Sequence, residues 1–315
     1  MMDLQDCIIV GGGPAGLNAA IVLGRCRRKV LLFDTQQYRN RYSHGMHNYL
    51  TRDDIDPAEF IKICHQELEK YSVPRKNEKV TQARKDEQGV FVVKTETGGT
   101  YHSEKLIIAT GLIDPLPDVE GFEEMYGKSV FHCPYCDGWE VRDKKLGVYA
   151  KNKNGFELAI KLKGWSDHVF LLTDGVDKFK PHEKEELAAN EISVIKTPVL
   201  KLQGQDGQLQ KILFKNGEQR ECDALFFVNG SSQQCNLVET FDCEISSRGK
   251  VITNRFQQTK TPGLYVAGDA DKDMQFVVVA AAEGAKAAVT INTELQKEIS
   301  RQKLEAAKQQ QLIVE

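Results

Sequence analysis

A short apolar run, Cys7-Ile8-Ile9-Val10, leads straight into Gly11-Gly12-Gly13-Pro14-Ala15-Gly16 and then a helix-compatible stretch from Leu17 to Cys26. A second apolar run, Val30 to Phe33, follows and ends in Asp34. Four apolar residues in a row, without alternation, predict a parallel strand buried on both faces. Strand, glycine turn, helix, strand and acid, in that order, are the parts of a dinucleotide-binding unit, and each glycine has its own task. Gly11 permits the tight turn, Gly13 lets the backbone approach a pyrophosphate, and Gly16 allows the helix to lie close on the strand. The helix N-terminus offers an anion its N–H groups, from Ala15 onward, and the positive end of its dipole. Asp34, 23 residues after Gly11, stands where a carboxylate accepts hydrogen bonds from ribose hydroxyls.

Two later segments fit the same unit. Lys105 to Ile108 is an apolar strand ending in Ala109-Thr110-Gly111, and Gly263 to Val266 is another ending in Ala267-Gly268-Asp269. A helix-compatible run from Val277 to Leu295 follows. Between these segments lies an insert with its own strand–helix–strand start at 146–150, 156–163 and 168–173. Its β-rich continuation covers 194–202, 210–214 and 224–228, with Asp206-Gly207 and Asn216-Gly217 as hairpin turns. The predicted class is α/β, with two Rossmann-like domains of the FAD/NAD(P)-binding three-layer type, the second inserted in the first. Residues 1–114 and 251–315 form the discontinuous nucleotide-binding domain, and 115–250 form the insert. The polar tail after Asn292 reads as an exposed helix or a frayed terminus.

Composition narrows the function classes. A net charge of -3 and the lack of a strongly basic run exclude a nucleic-acid footprint. No apolar stretch approaches the ~18 residues of a membrane span, and no signal-peptide layout opens the chain, so a reducing cytoplasmic setting is expected. Of eight cysteines, only Cys133 and Cys136 form a C-x-x-C pair. Zinc would want a second such pair or nearby histidines; His132 is adjacent, but no matching ligand pair follows, and no metal is expected. Two cysteines at this spacing can close a small disulfide and exchange it with a partner, and a helix N-terminus would stabilise the thiolate.

The glycine loop, Ile107 to Gly111, Cys133-Pro134-Tyr135-Cys136-Asp137-Gly138 and Gly263 to Ala270 occur in the order seen in low-molecular-weight thioredoxin reductases, which the chain resembles from about residue 5 to about residue 295. Gln275 with Ala281-Ala282-Glu283-Gly284 is similar to that family's ending. Tyr38-Arg39-Asn40, Met46-His47, Thr51-Arg52-Asp53 and Gly164-Trp165-Ser166-Asp167 resemble its Cys-Pro-Tyr-Cys branch, which includes enzymes of small dithiols and oxidases that close disulfides. The resemblance implies one FAD, held by Gly11, Gly13, Pro14, Ala15, Gly16, Asp34, Arg39, Asn40, Asn48, Val80, Ala109, Thr110, Gly111, Gly268, Asp269, Gln275 and Phe276. It implies that Cys136 faces the flavin, Cys133 meets the external disulfide or dithiol, and Asp137 moves the proton. It also implies a homodimer and a thioredoxin-like protein or a small dithiol as partner.

The chain departs from the family where relatives bind NADPH. Ala150 and Asn152 stand at the first two positions of the second G-x-G-x-x-G/A, and only Gly155 fits. A side chain at Asn152 obstructs a pyrophosphate, and Asp174, at the end of the next strand, repels a 2′-phosphate. Lys151 and Lys153, with Asn154 and Gly155 opening the helix, leave open another anionic ligand, including a second FAD; two solvated lysines are the plainer reading. The expectation is an FAD-dependent dithiol/disulfide oxidoreductase not driven directly by NADPH, with ferredoxin, reduced flavin or a second flavin as donor. The alternatives are a dithiol oxidase using oxygen, an NADPH-dependent thioredoxin reductase, or a non-catalytic flavoprotein, against which the intact Cys-x-x-Cys-Asp argues.

Overall fold

The computed structural model describes residues 3–271 and 274–314, and the chain divides into two compact units. The first comprises residues 1–39, 58–113 and 232–315; the second comprises 40–57 and 114–231.

The first unit opens with β1 (Leu4–Val10), α1 (Pro14–Arg25) and β2 (Val30–Phe33), the strand–turn–helix–strand expected. β1 and β2 pair in parallel, Ile8 opposite Leu31 and Val10 opposite Phe33. Then come α2 (Pro57–Glu69), β3 (Arg75–Lys76), β4 (Val80–Lys85), β5 (Phe91–Thr95), β6 (Thr100–Ile108) and β7 (Leu112–Ile113). β3 extends the parallel sheet beside β2, while β4, β5 and the start of β6 form an antiparallel meander. The far half of β6 is parallel to β1, with Leu106 opposite Ile8 and Ile108 opposite Val10. One strand therefore serves both arrangements, which its apolar end, Lys105 to Ile108, did not reveal.

The second unit contains α3 (Phe122–Met125), β8 (Val130–Phe131), α4 (Pro134–Asp137), β9 (Leu146–Tyr149), α5 (Asn154–Leu162), β10 (Val169–Leu172), α6 (Pro181–Ala189), β11 (Ser193–Ile195), β12 (Val199–Gln205), β13 (Gln208–Phe214), β14 (Gln219–Glu221) and β15 (Ala224–Phe227). Its parallel sheet has the order β11-β10-β9-β15-β8, and β12-β13-β14 is a separate antiparallel sheet. β9, β10 and β15 are buried along their whole length, as strands covered on both faces must be. The expected strand 194–202 is two strands in two sheets. Pro198, which has no N–H for a ladder, lies between them. Asp206 and Gly207 both adopt positive φ, 53° and 79°, the two-residue hairpin turn expected there. At the other turn only Gly217 does, at 88°, within a longer loop closed by Phe214 N–H to Glu218 C=O.

The chain then returns to the first unit through β16 (Ser232–Gln233), a 3-10 turn at Leu237–Phe241, β17 (Leu264–Val266) and α7 (Val277–Val314). β17 lies parallel to the far half of β6. α7 is held on α1 by the Asn18 amide donating to Ala281 C=O at 2.6 Å. The polar tail is a continuation of α7, with exposed side chains from 301 to 310. Two domain boundaries differ from those expected. Residues 232–250 belong with the first unit, because Leu237, Val238 and Phe241 join its core with Phe91 and Val266. Residues 40–57 belong with the second, where Tyr42 packs on Tyr126. Among the described residues, no helix is long and apolar enough to cross a membrane.

Candidate active site

In the first unit the glycine loop is closed by Gly11 N–H donating to Phe33 C=O at 2.8 Å. Gly11 has φ 113°, a conformation that L side chains rarely adopt, and a Cβ there would strike the carbonyl of Ala109. Gly16 lies against the Gly11 carbonyl, so helix and strand are as close as glycine allows. Gly13 is different. Its φ of -73° and ψ of -178° suit any residue, and a Cβ there would meet nothing within 4 Å. The chain itself does not need a glycine at 13; a ligand backed onto that carbon does. No side chain caps the α1 N-terminus. Asp34 is buried at the end of β2, its Oδ2 accepting from Tyr38 O–H at 2.6 Å and its Oδ1 from Gln36 N–H at 2.8 Å. His65 Nε2 stands 3.8 Å from the same carboxylate. An open cradle, an uncapped helix start and a fixed carboxylate are what the pyrophosphate and ribose of FAD require.

Three residues expected to hold the flavin meet directly. Arg39 Nη1 donates to Asp269 Oδ2 at 2.7 Å and to Gln275 Oε1 at 2.6 Å. Gly111 and Gly268 take φ of 72° and 80°, turning the ends of the β6 and β17 strands. Thr110 Oγ1 lies 3.4 Å from Cys235 Sγ, Ala109 is buried, and Phe276 is half-buried. Val80 lies in the core, its backbone paired with Thr95. Asn40 and Asn48 fall in the second unit, where Asn48 Nδ2 donates to the carbonyl of Tyr135 at 2.8 Å. Sequence spacing gave no sign of Tyr38 and His65 converging on Asp34, because α2 delivers His65 from a separate helix.

In the second unit Cys133 and Cys136 form a disulfide, with Cα atoms 5.3 Å apart. Cys133 caps the single-turn helix α4 with extended backbone, φ -125° and ψ 108°, and Pro134 occupies the first helical position, which needs no N–H. The N–H groups of Cys136 and Asp137 both turn back to the Cys133 carbonyl at 3.2 Å. Tyr135 and Trp139 flank the pair with exposed rings; Tyr135 stacks edge-on to Trp165 at 5.5 Å, and Arg142 lies over Trp139 at 4.1 Å.

Burial, and after it the charge of Glu140, raises the Asp137 carboxyl from the ordinary 3.8 to about 7. A carboxyl that can hold or release its proton near neutrality suits acid–base work beside an opening disulfide. It also has a stability consequence. The folded state holds this proton more tightly than the unfolded chain, so stability falls as pH rises from about 4 to about 7. Asp137→Asn should remove that loss and be more stable than the wild type at about pH 8, on the order of 1–3 kcal/mol, with no difference near pH 4. Thermal melts at both pH values check this; a pH-independent difference refutes it.

The loop after β9 is closed by its own residues. Asn152 Oδ1 accepts the Asn154 N–H at 3.0 Å, the Asn152 carbonyl accepts Gly155 N–H at 3.2 Å, and the Lys153 carbonyl accepts Phe156 N–H at 3.2 Å. The first three N–H groups of α5, the ones a pyrophosphate would need, are thus engaged. Lys151 is paired with Asp174 at 2.6 Å, and Asp174 also accepts from Tyr149 O–H at 3.1 Å and Val199 N–H at 2.9 Å. Burial works against the Asp174 charge, yet these donors hold its carboxyl below the ordinary range. Gly155 keeps only the packing role, since a Cβ would lie 2.7 Å from that of Ala150.

Residues 5–284 match the family Pyr_redox_2, pyridine nucleotide-disulphide oxidoreductase. The thioredoxin reductase tcpT of Claviceps purpurea is 30% identical, covering 96% of this chain and 97% of that protein. Among solved structures, TrxB of Bacillus anthracis is 35% identical with a TM-score of 0.88, over 93% of this chain and 99% of that one. HlmI is 30% identical with a TM-score of 0.93, over 97% of both chains. Fold, glycine cradle, redox pair and these likenesses agree: the chain belongs to the pyridine nucleotide-disulphide oxidoreductase family and is a thioredoxin reductase-like, FAD-dependent disulfide oxidoreductase.

Proposed function

We propose that this enzyme exchanges electrons between an external dithiol or disulfide and its FAD through Cys133 and Cys136, and that NADPH is not its direct electron donor. The observation that carries the second half is the self-closed loop before α5. There Asn152 and Lys153 occupy the helix N–H groups, and Asp174 both neutralises Lys151 and repels phosphate. A second flavin nucleotide would need the same groups, so the expectation of one in this unit loses its support. Of the remaining circuits, the one from dithiol to oxygen needs neither a second nucleotide nor a donor protein, and this reading takes it ahead of ferredoxin or free reduced flavin. In that direction the dithiol becomes a disulfide, and its two electrons and two protons reduce one oxygen molecule to hydrogen peroxide.

FAD, when bound at the Gly13 cradle, supplies the two-electron centre. Cys133 takes the external sulfur, Cys136 passes the pair's electrons towards the flavin, and Asp137 holds or releases the accompanying proton. The exposed rings of Tyr135 and Trp139 give the partner an apolar landing beside the pair, for a small dithiol or a thioredoxin-like protein. A homodimer, carried over from the resemblance, completes the reading. The name of the Claviceps purpurea relative supports the reductase direction as the second reading.

The test is spectroscopic. In anaerobic FAD-loaded enzyme, NADPH and NADH should leave the flavin band intact while dithiothreitol bleaches it, and air should restore it with one hydrogen peroxide per dithiol. Fast bleaching by either nicotinamide cofactor refutes the claim about NADPH. Slow recovery in air returns the direction to a reductase fed by ferredoxin or reduced flavin.

A further inference from the structure

Residues 46–55 form a closed loop within the second unit. Met46 N–H donates to Ile55 C=O at 2.8 Å and joins the two ends. Inside the loop, Asp53 Oδ1 accepts the Asn48 N–H at 2.9 Å, and Tyr49 C=O accepts the Arg52 N–H at 2.8 Å. Asn48, Thr51 and Asp54 bend the chain with positive φ of 65°, 74° and 63°. Left-handed backbone is uncommon outside glycine, and Asn tolerates it better than most residues. Position 48 therefore carries a residue that suits the bend and also brings a side-chain amide.

That amide is spent on the cysteine turn. Asn48 Nδ2 donates to the Tyr135 carbonyl at 2.8 Å, 87 residues along the chain and between Cys133 and Cys136. The carbonyl belongs to the single turn of α4, and carbonyls in the last turn of a helix have no N–H partner inside it. A side chain from a remote loop thus supplies what a one-turn helix cannot. His47, from the same loop, meets the stretch after the turn, its Nε2 3.6 Å from Glu140 Oε1.

We propose that Asn48 is a positioning residue for the Cys133–Cys136 pair, keeping the turn folded through the Tyr135 carbonyl when the disulfide opens. The proposal rests on the redox role given above to the pair. In the disulfide form the covalent link already restrains the turn, and the tether adds little. In the dithiol form the tether keeps the two sulfurs near each other, and a turn without it gains conformational entropy. Asn48 therefore raises the effective concentration of one thiol at the other and favours the disulfide. This task lies within the second unit and is separate from the flavin contact that the resemblance implies for Asn48.

The test uses the full FAD-loaded chain, equilibrated without oxygen near neutral pH in mixtures of reduced and oxidised glutathione. Each dithiol pair passes two electrons and two protons to one oxidised glutathione, giving the enzyme disulfide and two glutathione thiols. Rapid alkylation with N-ethylmaleimide and peptide mass spectrometry then give the oxidised fraction of Cys133 and Cys136. The midpoint is the squared concentration of reduced glutathione divided by that of the oxidised form when half the pair is oxidised. Asn48→Gly, which accepts left-handed backbone and deletes the amide, should lower this midpoint roughly 3- to 10-fold, the scale of one hydrogen bond. Asn48→Asp is close in size and tolerates the same backbone, yet should not restore the midpoint, because a carboxylate cannot donate to a carbonyl. Asp53→Ala loosens the loop behind Asn48; it should lower the midpoint by less and keeps the test open if the variants at 48 fold poorly. A fall in the midpoint with both variants at 48 upholds the proposal, whether or not FAD affinity falls with it. A midpoint at the wild-type value overturns it, even if flavin or thermal stability is lost, and so does a wild-type midpoint in Asn48→Asp. Dithiothreitol bleaching of the same samples separates the two readings: lowered midpoints without bleaching of the wild-type flavin would uphold the Asn48 role and refute the electron route to the flavin.

Discussion

Cys136→Ser should yield a yellow protein whose flavin a dithiol no longer bleaches. Serine is close in volume to cysteine, and the pair lies in the second unit while the glycine cradle lies in the first, so FAD should remain bound. The chemistry cannot survive. With an oxygen at 136 there is no Cys133–Cys136 disulfide for the dithiol to reduce, so Cys133 stays a free thiol and the electron pair has no route onward. The rate of flavin reduction by dithiothreitol should fall roughly 10³-fold or more, the scale on which losing a covalent participant is felt. Stopped-flow absorbance measures it, and an unchanged rate would remove the pair from the mechanism. Cys133→Ser should be equally inactive, but Cys136 is then left free for alkylation.

Gly13→Val should have the second-largest effect, and it separates what the chain needs from what the ligand needs. The backbone at Gly13 is ordinary extended geometry and a Cβ there meets nothing within 4 Å, so a side chain at this position should be tolerated by the apoprotein. That space is where the glycine motif brings a pyrophosphate against the backbone. FAD affinity should fall roughly 100-fold, equivalent to about 2.7 kcal/mol, while the apoprotein melts within about 0.5 kcal/mol of the wild type. Gly11→Ala and Gly16→Ala should behave differently, because each new Cβ would strike backbone: the Ala109 carbonyl in one case, the Gly11 carbonyl in the other. Those variants should lose the fold with the flavin. Flavin content after gel filtration, with fluorescence titration of the apoprotein, distinguishes the classes. A Gly13→Val protein carrying a full complement of FAD would mean that the ligand does not approach Gly13.

How far the site could be read from the sequence follows the range of each interaction. Gly11 to Asp34 and Cys133 to Asp137 are local patterns, in which spacing along a strand, a turn or a helix already dictates which atoms face the same way. The departure at Ala150 and Asn152 was visible for the same reason. What could not be read was that Asn152 turns its own side chain onto the Asn154 N–H, or that Lys151 is claimed by Asp174 across the strand ends. The second changes the meaning of Lys151 from a phosphate ligand in waiting to one half of an ion pair.

The sequence by itself determined the α/β class, the FAD-type cradle and the redox pair, because these depend on residues within a few turns of one another. Tertiary structure alone decided that Arg39, Asp269 and Gln275 form one hydrogen-bonded group, and that 40–57 belong with the cysteine unit. It also decided that His47 stands on Glu140. Each of these joins residues distant in the chain. Such contacts exist only after sheet pairing and helix packing have closed the intervening loops, and the cost of that closure is repaid by core burial, which no local pattern encodes.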